Sequence, residues 1–226
     1  MKIFAFIFAR GGSKGLKNKN LKVFDGETLV GRTINQAKKS KLFKKVILSS
    51  DSNKILTEGK KKNIFTIKRP NRLATSKSPE MYAWIHAIKF LKKKKLEFDL
   101  MVILPCTSPL RNIIDIKRCI NSYNNKIHMV MTIVKSKYHP SLNIVKLVSK
   151  NEIKKLDNKN KEFLMRQDVQ KNFIIANSVY VCNPENILKR SSIFYKKVLG
   201  VEVPKERAID IDDNIDLKIS KALAKC

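Results

Sequence analysis

At 226 residues, 43% of them hydrophobic and 8% aromatic, the chain is long enough to bury one substantial core. Seven glycines, seven prolines and the lack of any Ser- or Gly-rich tract argue against a disordered linker, and the apolar opening MKIFAFIF is far shorter than the roughly 20 residues of a membrane span and has no small-residue cleavage site. A formal net charge of +29 points, taken alone, to nucleic acid or an anionic membrane; lysine is nevertheless spread over nearly every segment beside Asn and Ile, the residues that A+T-rich codons produce, so the charge is first read as a compositional bias.

The predicted elements alternate in chain order. KIFAFIF reads as a buried first strand, a loop follows, and from Glu27 to Lys39 the residues Leu29, Val30, Ile34 and Ala37 share a helical face. KVILSSD, a helix from Asn53 to Lys62, NIFTIK and a helix from Pro79 to Lys95, with Met81, Trp84, Ile85, Ile88 and Leu91 on one face, repeat the unit. LMVILP is almost wholly apolar, as a strand covered on both faces requires, and a helix from Ile113 to Tyr123 follows it. Strands alternating with helices predict an α/β fold, a Rossmann-like doubly wound and mostly parallel sheet with right-handed crossovers.

From Tyr138 to Ile175 the regularity weakens: NIVKLVS alternates like a half-exposed strand and Lys150 to Lys161 is very polar. Residues 138–175 are therefore expected to be an arm inserted into a single domain of residues 1–226. Core-like sequence returns in SVYVC, VLGVEV and AIDID, the last read as a strand, and a closing helix from Asp213 to Ala224 is expected to take its cap from Asp213 or Asp212. Cys106, Cys119, Cys182 and Cys226 form no CxxC pair and have no close His, which reads as free thiols in a reducing cytoplasm. His86, His128 and His139 have no spacing that suggests a metal site or triad and are read as structural.

The chemistry starts in the loop Ala9 to Asn20, ARGGSKGLKNKN, placed beyond the carboxyl end of the first strand where open α/β sheets bind ligands. Gly11, Gly12 and Gly15 leave room for backbone amides to approach phosphate oxygens, while Arg10, Ser13, Lys14 and Lys19 supply charge and donors. The spacing fits neither GxxxxGK[ST] nor GxGxxG, which disfavours an ATPase or a dinucleotide oxidoreductase; for the loop alone, a Gly-rich surface turn with solvated lysines is the alternative. Asp210 and Asp212 alternate on their predicted strand, so both carboxylates are expected on one face, suited to a hard cation such as Mg²⁺. A solvated strand end that caps the last helix is the alternative there. Thr107, Ser108 and Arg111 emerge from a buried strand at the ligand edge, with Arg111 either pairing with a carboxylate or capping the next helix.

Together these motifs resemble the acylneuraminate cytidylyltransferases, the CMP-sialic acid synthetases. RGGSKGxxxKN after the first strand is similar to that family's opening, LSSD to its second-strand ending, KRPNRLA to its RPxxLA, LPCTSPLR to its LQPTSPLR, ANSVYV to its NGAIYI and AIDIDD to its IDIDT, in the same order along nearly the whole chain. The resemblance implies transfer of CMP from CTP to the anomeric oxygen of a nine-carbon acidic sugar, with release of pyrophosphate. In it Arg10, Gly11, Gly12, Ser13 and Lys19 hold the triphosphate, and Asn20 and Arg69 help fix the nucleotide. Lys19 is the essential cation, Asp210 and Asp212 hold Mg²⁺, and the sugar proton passes to one carboxylate or to the metal's own sphere. It also implies that Arg166, Tyr180, Phe194 and Tyr195 contact the sugar and that the chain is a cytoplasmic homodimer whose arm carries Arg166 toward the neighbouring site, with neither a membrane nor a specific nucleic acid as partner.

Two departures bear on the acceptor: Pro105 stands where LQPTSPLR has Gln, with Cys106 in place of its Pro, and Leu142 stands where a lysine often follows the His-Pro pair, here His139 and Pro140. The nucleotide and metal motifs are intact, so the acceptor is expected to be N-acylneuraminate or a relative such as legionaminic or pseudaminic acid. The competing readings are a synthetase for the eight-carbon sugar Kdo, whose loop has Arg after the Ser where this chain has Lys14, and a basic nucleic-acid-binding module, which accounts for the lysines but gives AIDIDD and TSPLR no purpose.

Overall fold

The computed structural model describes residues 1–13, 15–156, 165, 167, 169–189 and 192–225. Strand β1 (Ile3–Phe8) leads through a short hairpin, β2 (Val23–Phe24) and β3 (Glu27–Thr28), into α1 (Leu29–Ser40). Then come β4 (Lys45–Ser50), α2 (Asn53–Lys61), β5 (Phe65–Lys68), α3 (Glu80–Lys93), β6 (Leu100–Ile103), α4 (Ile113–Asn121) and β7 (Met129–Lys135). The arm hairpin, β8 (Val145–Leu147) and β9 (Ile153–Lys155), precedes β10 (Phe173–Cys182), α5 (Pro184–Lys189), β11 (Val198–Glu202) and α6 (Asn214–Leu223).

Among the described residues seven strands form one sheet in the order β11-β7-β10-β6-β1-β4-β5. β1, β4, β5 and β6 are mutually parallel, as are β7 and β11, and β10 runs antiparallel between β6 and β7. The pleat of β1 shows why the fold is doubly wound. Ala5 and Ile7 face one apolar layer with α1, α2 and α4, while Phe4 and Phe6 face the other, where α3 brings Trp84, Ile88 and Leu91. A sheet buried on both faces needs apolar residues in both registers, which IFAFIF and LMVI supply.

Helix starts follow local chemistry. The Thr28 hydroxyl accepts from the Gly31 amide at 3.0 Å, and Asn112 and Asp115 form a reciprocal box at the start of α4. At α6 the cap is Asp213, with Asp216 returning the bond; Asp212 instead donates its amide to Asp216. The first hairpin turns on Asp25 and Gly26, both at positive φ, the Asp-Gly signature of a tight turn. Glu27 and Thr28 are thereby drawn into a strand, and α1 begins two residues later than the periodicity predicts.

AIDID is not a strand. After β11 a 3-10 turn spans Lys205–Ala208, and the chain runs irregularly to the α6 cap. Ile211 is fully buried and its amide donates to Thr107 O at 2.8 Å, so the apolar-acidic alternation records one plugged side chain between two acids and no ladder. The arm differs as well. NIVKLVS contributes β8 to a two-stranded hairpin whose six strand residues are all exposed, and the stretch expected to end the arm, up to Ile175, already belongs to β10, which starts at Phe173.

Candidate active site

The carboxyl ends of β1, β4, β5 and β6 meet at a cleft of about 280 Å³. Arg10, Ser13, Lys19, Asn20 and Arg69 line it, all five from the anion-binding set predicted by sequence; Phe8, Thr75, Ser78, Glu80, Pro105, Cys106 and Thr107 are among the other wall residues.

Three hydrogen bonds among the described residues help to hold the loop after β1. Ala9 N–H donates to Ser49 O at 3.1 Å, Gly11 N–H to Asp51 Oδ1 at 3.0 Å, and the buried Asn20 amide to Arg10 O at 3.0 Å. The three glycines divide the work differently from the sequence expectation. A Cβ at Gly12 would meet open space, so its backbone is free for a ligand to approach. At Gly11 a Cβ would lie 2.9 Å from Ser52 Cβ, and at Gly15 only 2.5 Å from the Asp212 carbonyl oxygen. These two glycines let the loop pack against β4's exit and against the 209–213 segment.

Arg69 is 4% exposed, and its guanidinium lies 3.7 Å from Asp51 Oδ1. Burial lowers its pKa, opposed by the nearby carboxylates of Asp51 and Glu80, and its Nε has no hydrogen-bond partner. The Nε is shut off from solvent, so an anion in the cleft would be met by the rest of the guanidinium, which has one carboxylate beside it. Lys19 Nζ lies 2.8 Å from Asp212 Oδ1, but the Asp212 side chain is 77% exposed. Such a pair is worth little in water, so a phosphate can take the ammonium from Asp212 at small cost. Glu80, in the first turn of α3, lines the cleft and is solvent-exposed, with protein packed around its carboxyl end. That surrounding raises its carboxyl pKa, with Trp84 and Arg69 pulling the other way.

Asp210 faces inward. Its Oδ2 accepts from Asn177 Nδ2 at 2.8 Å, and its Oδ1 is buried with no hydrogen-bond partner. The two acids of AIDIDD therefore look to different partners, Asp210 to Asn177 and Asp212 to Lys19, and do not share a strand face. Among the described residues no three His, Cys, Asp or Glu side chains converge on a metal. An orphaned buried carboxylate oxygen still fits a Mg²⁺ ion, which is commonly bound by one or two carboxylates and completed by water and substrate phosphates.

Arg111 is buried and structural: it donates to Pro105 O, Ser178 O and Gln36 Oε1 at 2.7–3.0 Å, and burial lowers its pKa to about 10. Tyr180 donates its hydroxyl to Asn177 Oδ1 and packs its ring on Trp84. Phe194 and Tyr195 are not brought to the cleft. They precede β11 and sit beside His128 at the amino end of β7, on the sheet edge opposite the carboxyl ends, with the Tyr195 and His128 ring centroids 5.7 Å apart. Arg166 lies outside the described residues. The three histidines make structural contacts: His128 Nε2 lies 2.8 Å from Ser192 O, His139 Nδ1 accepts from the Ser141 amide, and His86 lies against Phe90. Cys106 is 2% exposed on the cleft wall, and burial pushes its thiol up to about 12, so it stays protonated and unreactive near neutral pH.

A family model described as cytidylyltransferase matches residues 4–218. The chain belongs to the cytidylyltransferase family. It is 30% identical, over 99% of its own length and 95% of the other's, to the post-translational flagellin modification protein B of Campylobacter coli. It is likewise 30% identical, over 98% of its length and 94% of the other's, to the CMP-N,N'-diacetyllegionaminic acid synthase of Campylobacter jejuni subsp. jejuni. Its fold matches a solved CMP:2-keto-3-deoxy-manno-octonic acid synthetase complexed with CTP, with a TM-score of 0.73 over 100% of this chain and 99% of that one, at 13% identity. The enzyme is thus a nucleotidyltransferase on a Rossmann-like fold. Among its described residues no helix is long and apolar enough to cross a membrane.

Proposed function

We propose that this cytidylyltransferase transfers CMP from CTP to the anomeric hydroxyl of a nine-carbon acidic sugar of the nonulosonate class. The observation that carries the reading is a single cleft, in a member of this family, lined by Arg10, Ser13, Lys19, Asn20 and Arg69. The sugar oxygen attacks the α-phosphorus, the bond from that phosphorus to the bridging oxygen breaks, and pyrophosphate leaves. Charge grows on the leaving group, and Arg10, Lys19 and Arg69 with the Gly12 backbone are placed to neutralise it. The hydroxyl proton passes to one carboxylate of the pair Asp210 and Asp212, or to a base in the sphere of the metal they would hold. Mg²⁺ held by Asp210 and Asp212 would screen the phosphates and polarise the α-phosphoryl oxygen.

The acceptor class is supported by the relative named for legionaminic acid. Pro105 and Cys106, the departures from LQPTSPLR, both line the cleft, so the acceptor end differs from the motif's pattern while the nucleotide end does not. Tyr180 serves the site through Asn177 in this reading. A homodimer is supported by the arm, where Leu147 and Ile153 are 68% and 58% exposed and Val145, Val148 and Leu156 stand beside them. A Leu147→Asp chain is expected to run as a monomer in size-exclusion chromatography with light scattering; a monomeric native chain would end that part of the reading. A cytoplasmic place is consistent with three buried free thiols and with the need for CTP.

The deciding assay measures pyrophosphate release from CTP with Mg²⁺ and N-acetylneuraminic, legionaminic, pseudaminic acid or Kdo. Turnover with a nine-carbon sugar, lowered at least ~10³-fold in Asp210→Asn, is the expected result. Turnover with Kdo alone would replace the acceptor, and tight salt-sensitive RNA binding without turnover would replace the function.

A further inference from the structure

We propose that Asn177 is a positioning residue that fixes the Asp210 carboxylate and leaves one of its oxygens for a divalent cation, an inference that rests on the metal role of Asp210 given above. Strand β10 slips register between Ile175 and Tyr180, and within the slip Asn177 takes φ 47°, the left-handed region. The slip is pinned on both sides. The Ser108 hydroxyl donates to Asn177 O at 3.0 Å, and the buried Thr132 hydroxyl accepts from the Ser178 and Val179 amides at 3.2 Å each. A backbone held in this way fixes the direction in which the side chain leaves it.

The side chain then closes a directional relay. Tyr180 donates its hydroxyl to Asn177 Oδ1, and Asn177 Nδ2 donates to Asp210 Oδ2 at 2.8 Å. Burial, with the carboxylates of Glu80 and Asp210, pushes the Tyr180 pKa up, so the phenol keeps its proton and remains a donor. With the phenol donating to Oδ1, only the amide N–H₂ can face the carboxylate; the reverse rotamer would set two acceptors together. One oxygen of Asp210 is thereby satisfied, and the other, Oδ1, stays buried and unpartnered. A hydrogen bond to the non-ligating oxygen is the way outer contacts orient a metal carboxylate, and removing one typically costs 10- to 100-fold in metal affinity.

The residue type matters because few side chains accept positive φ; Asn and Gly do. The motif NGAIYI, which ANSVYV resembles, has Gly at this point, so Asn177→Gly keeps the backbone and removes only the amide. The experiment titrates Mn²⁺ alone against native chain, Asp210→Asn and Asn177→Gly, following water-proton relaxation, with melting temperatures alongside. Expected are Mn²⁺ binding in the native chain, its loss in Asp210→Asn, and about tenfold weaker binding in Asn177→Gly at a melting temperature within about 2 °C of native. Binding lost in Asp210→Asn but equal to native in Asn177→Gly overturns the positioning role alone. A native chain that binds no Mn²⁺, or an Asp210→Asn chain that binds it as native does, overturns the metal reading and this proposal with it.

Discussion

The two edges of the central sheet carry similar residue types and opposite roles. At the carboxyl edge Arg10, Lys19 and Arg69 surround a cleft, and each is set by partners: Thr75, Asp212 and Asp51. At the amino edge, Lys38, Lys44 and Lys45 flank a hollow floored by Phe43 and Phe65, and Tyr195 stacks edge-on to His128. The difference lies in the backbone. Parallel strands release their loops at the carboxyl edge, where a tight glycine loop, the exit of β4 and the 209–213 segment converge, whereas the amino edge receives the helix-to-strand connections, such as α1 to β4 and α2 to β5. Cations and aromatic rings become a site only where the topology gathers them.

The convergence at the carboxyl edge depends most on Gly15. Alanine there drives a Cβ onto the Asp212 carbonyl, 2.5 Å away, and backbone cannot yield as a side-chain tip can. Gly15→Ala is expected to lower kcat/KM for CTP at least ~100-fold by shifting the loop and the Asp210 segment together, with a loss of stability of about 1–3 kcal/mol in urea melts. Near-native kinetics would show that the loop and the segment are not coupled.

A smaller effect sharpens the electrostatics of the cleft. Because the folded chain raises the Glu80 carboxyl pKa, the folded state holds that proton to higher pH than the unfolded chain does, so this group's contribution to stability declines as pH rises above the ordinary carboxylate range. Glu80→Gln is expected to melt with native below about pH 4 and about 1–2 °C above it at pH 7, the small size reflecting solvent in the cleft. A variant that melts lower than native at pH 7 would mean that Glu80 is held by Arg69 and is not strained.

The least effect is expected at the other edge. Phe194 is 65% exposed and distant from the carboxyl ends, so Phe194→Ala should leave KM for the sugar within about twofold of native. A rise of tenfold would show that this edge completes a site in a second copy of the chain.

Much of this was legible in the sequence, and for identifiable reasons. IFAFIF and LMVI are apolar in both registers, which only a doubly covered strand requires, and the helical faces of α1 and α3 followed from their periodicity. The Asp-Gly pair that turns the first hairpin was present as a signal and overridden by the helical pattern that follows it. AIDID misled because its alternation has the period of a strand, whereas its cause is one buried Ile211 between two acids. Phe194 and Tyr195 were assigned to the sugar by the family resemblance, and a resemblance in sequence says nothing about which edge a loop serves.

Sequence alone determined the fold class, the place of the Gly- and Lys-rich loop after β1 and the family, because apolar periodicity and ordered short motifs are local properties that survive without coordinates. Tertiary structure decided which glycines serve packing and which ligand approach, that Arg111 is internal scaffolding, that Asp210 and Asp212 answer to different partners, and that Asn177 stands at the turn of the relay. Each of these depends on contacts between segments 33 to 197 residues apart, such as Asn177 with Asp210 or Gly15 with Asp212, and a pairing of that kind is set by how the layers close.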